Sequence, residues 1–508
     1  MRRAALGPGL TIMSLLLAAW AAQAQPTLPE GLDDGGSAQR QNEKAVPSLP
    51  EGLNDGIPVN GVSDPGGPQL PEGLGGELGA DGTDDAPGAG DNQEEEKRGP
   101  AFGLLDDWRI TGYVDSRVGP RLVAPQDQEG FSLAETRAEI KALRHWQDIT
   151  ATVTAHFVGD AVDERHEPDL QTGDGVVDLR EANVLWRATD FMDVKAGRQI
   201  LTWGTGEFVF LNDLFPKDYE SFFIGRRDQM LKAPSDAVKI SFYSDIANLD
   251  VVYTPQFDPD RYIDGDRLSY FNPFERRIVG DGTPLGTDVR DDIFADDEWA
   301  VRLHRLAGRY ELALYGYDGF WKSPNALLPL GRKAAFAPLR VGGASARGPV
   351  PGLGGIANLE VAYYDSRDDR DGTDPNVPNS EMRLLLGYER EVITGMKAAV
   401  QYQRTRRMDH EAYLRTKPAD APTIDETSEL WTFKLTKDWP ESQVSATFFA
   451  FYSPSSQDGY LRPRVSWSPG DRWTLEAGVN WFFGADGHTE FGQLVDNSNV
   501  FVGARFGF

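Results

Sequence analysis

Six histidines (His145, His156, His166, His304, His410 and His488) are dispersed along the chain, and none has the spacing of a zinc protease or a deaminase. A lipid hydrolase would need a serine within hydrogen-bond reach of a histidine, and only His156 sits in a strand-like segment that could begin such a pair. Asp369, Asp371 and Asp374 around Gly372, and Asp258, Asp260, Asp264 and Asp266, supply hard oxygen ligands suited to Ca²⁺. Neither group has EF-hand spacing, and acid-rich runs of this kind ordinarily form solvated loops. The absence of Cys removes disulfides and thiolate metal sites. No glycine loop for phosphate is present, and a net charge of −28 with no basic stripe argues against nucleic acid as a partner. These residues point to a protein that is not an enzyme and uses no metal or cofactor.

The spacing that does stand out belongs to binding. Leu28-Pro29-Glu30-Gly31-Leu32 recurs as Leu49-Pro50-Glu51-Gly52-Leu53 and as Leu70-Pro71-Glu72-Gly73-Leu74, each copy starting 21 residues after the last. Pro sets an extended entry, Gly permits a sharp turn, the two Leu give paired apolar anchors, and Glu adds a charge. Three such copies on a flexible tail suit multivalent docking to a periplasmic carrier or an inner-membrane export complex. A low-complexity spacer, or a plug lying in a lumen, are the other readings. The surrounding segment, residues 25–100, holds 16 acidic and 4 basic residues and is nearly devoid of aromatics. It has too little apolar surface to offset the entropy of ordering, so it is expected to be a disordered acidic tail.

Elements that position these features are read from both ends of the chain. Arg2 and Arg3, the apolar run Ile12 to Ala22, and Ala22-Gln23-Ala24 form a signal-peptide pattern over residues 1–24. At the other end, Phe508, Phe506, Ala504, Val502 and Val500 share one strand face, with Gly507, Arg505 and Gly503 on the opposite face. No apolar run after residue 25 is long enough for a membrane helix, yet the chain is 11% aromatic with a mean hydropathy of −0.45. Amphipathic strands with a polar average fit an all-β, transmembrane antiparallel barrel over residues 101–508, greasy outside and wet within.

The alternation is clearest where Trp473, Leu475, Ala477, Val479, Trp481 and Phe483 oppose Thr474, Glu476, Gly478 and Asn480. It predicts strands near 107–117, 131–143, 147–158, 176–188, 191–203, 235–244, 247–255, 297–307 and 309–320. Nine more follow near 335–346, 356–366, 379–391, 395–406, 427–437, 442–452, 458–468, 471–483 and 498–508. Even strand numbers are the rule for such barrels, so about 16–18 strands are expected. Short connections such as 189–190, 245–247 and 469–471 should face the periplasm. Long acidic ones, 159–175, 256–296, 367–378, 407–426 and 484–497, should face outward. The segment 204–234 is too aromatic to be left in water, with Phe208, Phe210, Phe215, Phe222 and Phe223. Folding inward as a constriction or plug is the expectation, and packing across the barrel mouth is the alternative.

The run Gly197-Arg198-Gln199-Ile200-Leu201-Thr202-Trp203-Gly204 resembles the "GRQ…WG" strand of porin-like outer-membrane barrels. These include alginate-export-like and phosphate-selective-porin-like groups and a group associated with resistance-nodulation-division export. The apolar face that ends on Phe506 and Phe508 resembles the closing strand of bacterial outer-membrane barrels, which implies the outer membrane of a Gram-negative bacterium, with lipid and the barrel-assembly machinery as partners and Phe506 and Phe508 as the assembly signal. The "GRQ…WG" resemblance implies passage of a solute or exported molecule through the lumen, and the many Asp and Glu set this chain apart from an Arg-rich lumen that selects polyanions. A surface scaffold or adhesin barrel is the competing class. Arg198, Trp203, Glu207, Arg226 and Arg227 are the candidate lumen or constriction residues. Arg198 either points into the lumen, where Glu207 or the Arg226-Arg227 pair could meet it, or marks a break in the strand register.

Overall fold

The computed structural model describes residues 107–123, 128–163 and 165–508. The signal-peptide pattern and the three LPEGL copies lie outside the described residues. Eighteen antiparallel strands form one closed ring. The first six are β1 Arg109–Pro120, β2 Phe131–Trp146, β3 Ile149–Asp160, β4 Val177–Thr189, β5 Met192–Ile200 and β6 Pro234–Phe242. The next six are β7 Asn248–Thr254, β8 Glu298–Ala307, β9 Tyr310–Phe320, β10 Pro338–Pro349, β11 Ile356–Ser366 and β12 Glu381–Ile393. The ring continues with β13 Met396–Arg407, β14 Thr427–Trp439, β15 Val444–Ser453, β16 Asp458–Trp467, β17 Trp473–Phe483 and β18 Asn499–Gly507. It closes where β1 pairs with β18, and the Phe508 N–H and C=O both bond to Gly112 (2.9 and 3.1 Å). No barrel strand is left with an open edge.

The alternation of the sequence is the alternation of the wall. On β18, Val502 is 55% exposed while its neighbour Phe501 is 3% exposed. On β17, Trp473 and Leu475 face outward while Glu476 and Asn480 are buried inward. Exposed aromatics gather at two heights. Trp146, Trp186, Phe191, Tyr310, Trp467, Trp473 and Phe508 ring the end with the short turns. Phe131, Trp299, Tyr363 and Tyr452 ring the end with the long loops. Strands of ~10 residues rising ~3.3 Å each and tilted ~40° separate two such girdles by about 25 Å, the height of a bilayer's apolar band.

Several strand ends lie about three residues from expectation, and two of them follow from the path of the chain. β5 stops at Ile200 instead of 203, because the chain turns inward at Leu201. β10 begins at Pro338, because residues 333–335 leave the wall to pair with 326–328. Phe336 is buried there against Phe257 (4.9 Å), in a small apolar cluster roofing that side of the barrel.

Candidate functional site

Residues 201–233, between β5 and β6, run across the inside of the ring. Their backbone is shaped by a few local devices. Helix α1, Tyr219–Ile224, is capped by Asp218, whose carboxylate accepts from the Ser221 N–H and hydroxyl (both 2.7 Å). Gly225 ends it with φ near +100°, and a Cβ there would sit 2.7 Å from the Phe501 ring. Only glycine allows both that conformation and that closeness.

Polar moorings hold the first half. Glu360 on β11, fully buried, accepts from the Thr205 N–H, the Thr205 hydroxyl (2.9 Å), the Gly206 N–H (2.9 Å) and the Asn212 amide (2.7 Å). Glu207 pairs with Lys434 on β14 (2.5 Å), and its N–H donates to Gln401 on β13 (3.2 Å). Trp203 is buried against Phe215 (4.9 Å) and Tyr315 of β9 (6.2 Å).

An aromatic seat holds the middle. Phe208 meets Phe449 of β15 edge-on at 4.9 Å. Phe222 packs on Phe451 and Tyr460, and Phe223 on Tyr460 and Phe482. Ion pairs hold the far side. Arg226 binds Glu135 of β2 (2.7 Å), Arg227 binds Asp115 of β1 (2.9 Å), and Asp228 takes Arg462 and Arg464 of β16 (2.7 and 3.2 Å). Arg117 of β1 adds a bond to the Gly225 carbonyl (2.9 Å). The segment is thus tied to strands around most of the ring.

Arg198 stands apart from this network, and neither Glu207 nor the 226–227 pair meets it. It lies opposite Asp236 across β5–β6 and binds that carboxylate (2.5 Å), with a further bond to the Leu170 carbonyl. It shares strand parity with Val194 and Ala196, beside the half-exposed Asp236, so it sits at the long-loop rim. Gly197, with φ near +114°, marks the irregularity just before it. Phe506 packs on Trp473 (5.1 Å) and Phe508 is exposed at the seam. His156 faces inward, bonded to Glu139 (2.8 Å), so no outward Ser–His pair can start from it.

The acidic groups find protein partners. Arg165 gathers Asp163, Asp174 and Asp266 (2.9 to 3.2 Å), tying loop 161–176 to loop 255–297. Asp258 accepts from the Ser235 hydroxyl and the Asp236 N–H (2.8 and 2.9 Å). Burial pushes the Asp258 acid up to about 6, because nearby Lys322 is already taken by Glu298. Asp369 bonds within its own turn, to the Asp374 N–H (2.6 Å). In the inward segment, burial pushes Glu220 up to about 7 even though Arg267 lies 3.0 Å away, since Arg267 also serves Asp160.

Sequence reasoning missed the wall residues that grip the segment: Glu360, Gln401, Glu135, Asp115, Arg462 and Arg464. One signal was available. Phe448-Phe449-Ala450-Phe451-Tyr452 breaks the apolar–polar alternation and puts aromatics on both faces of β15.

No family model matches the chain, and no curated protein matches its sequence. Among solved structures, it is similar to OccK11 (OpdR) of Pseudomonas aeruginosa at 10% identity and TM-score 0.47, covering 80% of this chain and 96% of that one. It is similar to OccAB1 of Acinetobacter baumannii at 9% identity and TM-score 0.47, with 80% and 97% covered. A BenF-like porin from Pseudomonas fluorescens Pf-5 aligns at 9% identity and TM-score 0.49, with 80% and 100% covered. The closed ring, its apolar outer belt and its two aromatic girdles make this chain a Gram-negative outer-membrane protein.

Proposed function

We propose that the protein is an outer-membrane channel whose lumen passes a solute or an exported molecule, narrowed by residues 201–233. The observation that carries this reading is the inner wall. Its face is polar and charged, and the segment crossing it is gripped largely by hydrogen bonds and ion pairs on Glu360, Glu135, Asp115 and Arg462. Buried charges are costly to keep in a wall whose only task is mechanical, and they suit a hydrated path for polar cargo. The LPEGL tail, on this reading, docks a periplasmic carrier or an inner-membrane complex and makes the barrel an export exit. Phe506 and Phe508, at the closing strand, would be read by the barrel-assembly machinery.

Planar-bilayer recording of the purified full chain tests the channel: discrete ion-permeable openings are expected, and their absence hands the barrel to a scaffold role. Deleting residues 25–98 tests the tail. The shortened chain should keep its conductance and lose export; undiminished export would remove the docking role.

A further inference from the structure

A cavity of about 720 Å³ opens at the long-loop end, above the inward segment. That is the size of a small-molecule pocket. Its aromatic wall is assembled from separate elements: Tyr219 and Phe223 of α1, Tyr262 and Tyr270 of loop 255–297, Trp321 after β9, and Tyr413 of helix α2, His410–Thr416. Tyr219 and Phe223 stack at 6.3 Å, and Trp321 lies on Tyr364 at 5.4 Å with an indole N–H that finds no acceptor among the described residues.

The charges in this wall are not equivalent. Arg383 donates through Nε and Nη2 to Glu381 (2.9 and 2.7 Å) and lies 4.0 Å over the Tyr364 ring. Arg407 reaches the same carboxylate (3.5 Å) and donates to the Asp425 carbonyl (2.8 Å). Both arginines therefore share the Glu381 carboxylate, which offsets part of their charge. Glu490 also lines the cavity, and its carboxylate has no hydrogen bond or ion pair among the described residues. The Glu490 side chain is exposed to the water of the cavity and stands there as a carboxylate without a counter-ion among the described residues.

The mouth around the cavity has the same sign. Connections 161–176, 255–297, 321–337, 367–380, 408–426 and 484–498 carry 28 acidic against 13 basic residues, a field that concentrates cations and repels anions. We infer that the vestibule is a binding site for organic cations, taking an ammonium group on an aromatic or apolar frame. The ammonium lies against Glu490 and the aromatic faces, and the frame lies along the ring-lined wall. An aromatic acid of the same shape would meet the Glu490 carboxylate and the acidic mouth, while Arg383 and Arg407 are drawn to Glu381. The inference rests on the channel reading in that the vestibule would be the lumen's entry.

Detergent-purified full-length protein, titrated calorimetrically at pH 8, tests it with benzyltrimethylammonium, benzoate and benzyl alcohol as probes. Benzyltrimethylammonium should bind saturably and at least tenfold more tightly than either of the others. Glu490→Gln should weaken it at least fivefold, and Glu490→Lys should reverse the preference towards benzoate, both variants keeping heat-modifiable gel mobility as proof of folding. Equal or tighter binding of benzoate by the parent protein, no saturable binding, or an unchanged affinity in Glu490→Gln would each overturn the assignment. Bilayer conductance separates this from the channel reading: binding without conductance leaves the site and removes the channel, and conductance without binding does the reverse.

Discussion

Replacing Glu360 by Ala should loosen the inward segment while leaving the ring intact. The carboxylate is fully buried and accepts from four donors, on Thr205, Gly206 and Asn212. A hydrogen bond to a charged group contributes ~1.5–3 kcal/mol net, and a buried donor left unpaired costs a similar amount. Four bonds would total more than ~6 kcal/mol, but lumen water can reach some of the freed donors. About 3–6 kcal/mol is therefore the expected loss for this mooring, or roughly two to four decades in the local equilibrium between docked and released. The Glu207–Lys434 pair, the aromatic seat around Phe208 and Phe222 and the ion pairs of Arg226, Arg227 and Asp228 remain, so residues 204–206 and Asn212 should loosen while the rest stays docked. Single-channel recording should show higher mean conductance with frequent brief steps, and Glu360→Gln should fall between the variant and the parent. A Glu360→Ala protein with folded gel mobility and an unaltered conductance and noise spectrum would refute the mooring argument.

Arg198→Ala should leave ion selectivity unchanged and cost about 1–3 kcal/mol in urea unfolding, since the buried guanidinium serves both Asp236 and the Leu170 carbonyl at the rim; a shifted reversal potential would return Arg198 to the lumen. Asp258→Asn addresses the acid that burial holds at about 6 against an ordinary 3.8. A raised folded-state value means that the parent loses stability as pH climbs from about 4 through about 6. The amide should therefore stabilise by about 1–3 kcal/mol at pH 8 and by almost nothing at pH 4; a gap equal at the two pH values contradicts the assignment. Phe222→Ala empties a site between Phe208, Phe451 and Tyr460 and should cost about 3–5 kcal/mol locally, exposing residues 201–233 to limited proteolysis, and resistance equal to the parent's would count against the aromatic seat.

The eighteen strands were legible because a barrel wall obliges each strand to alternate, and a period of two survives in single segments such as 473–483. Loop lengths followed from the same reading. The position of Arg198 was not legible. Its strand carries the right parity for the wall, but the Gly197 irregularity and the meeting with Asp236, 38 residues on, depend on the neighbouring strand. Glu360 was invisible for a similar reason: its partners lie about 150 residues earlier, and nothing local distinguishes it from any inward-facing acid. The aromatic run at 448–452 was different in kind. A wall strand with rings on both sides has something dry to meet on the inside, and that conclusion needed no structure.

Ile200 and Pro234, the last and first rungs on either side of the inward segment, face each other across β5 and β6. The segment is therefore a flap hung from one narrow hinge, with every other attachment a latch. Were the latches undone, it could swing clear without breaking a single rung of the hoop that carries it. Widening of the bore and survival of the ring are thus separable events, and a leaky protein need not be a damaged one.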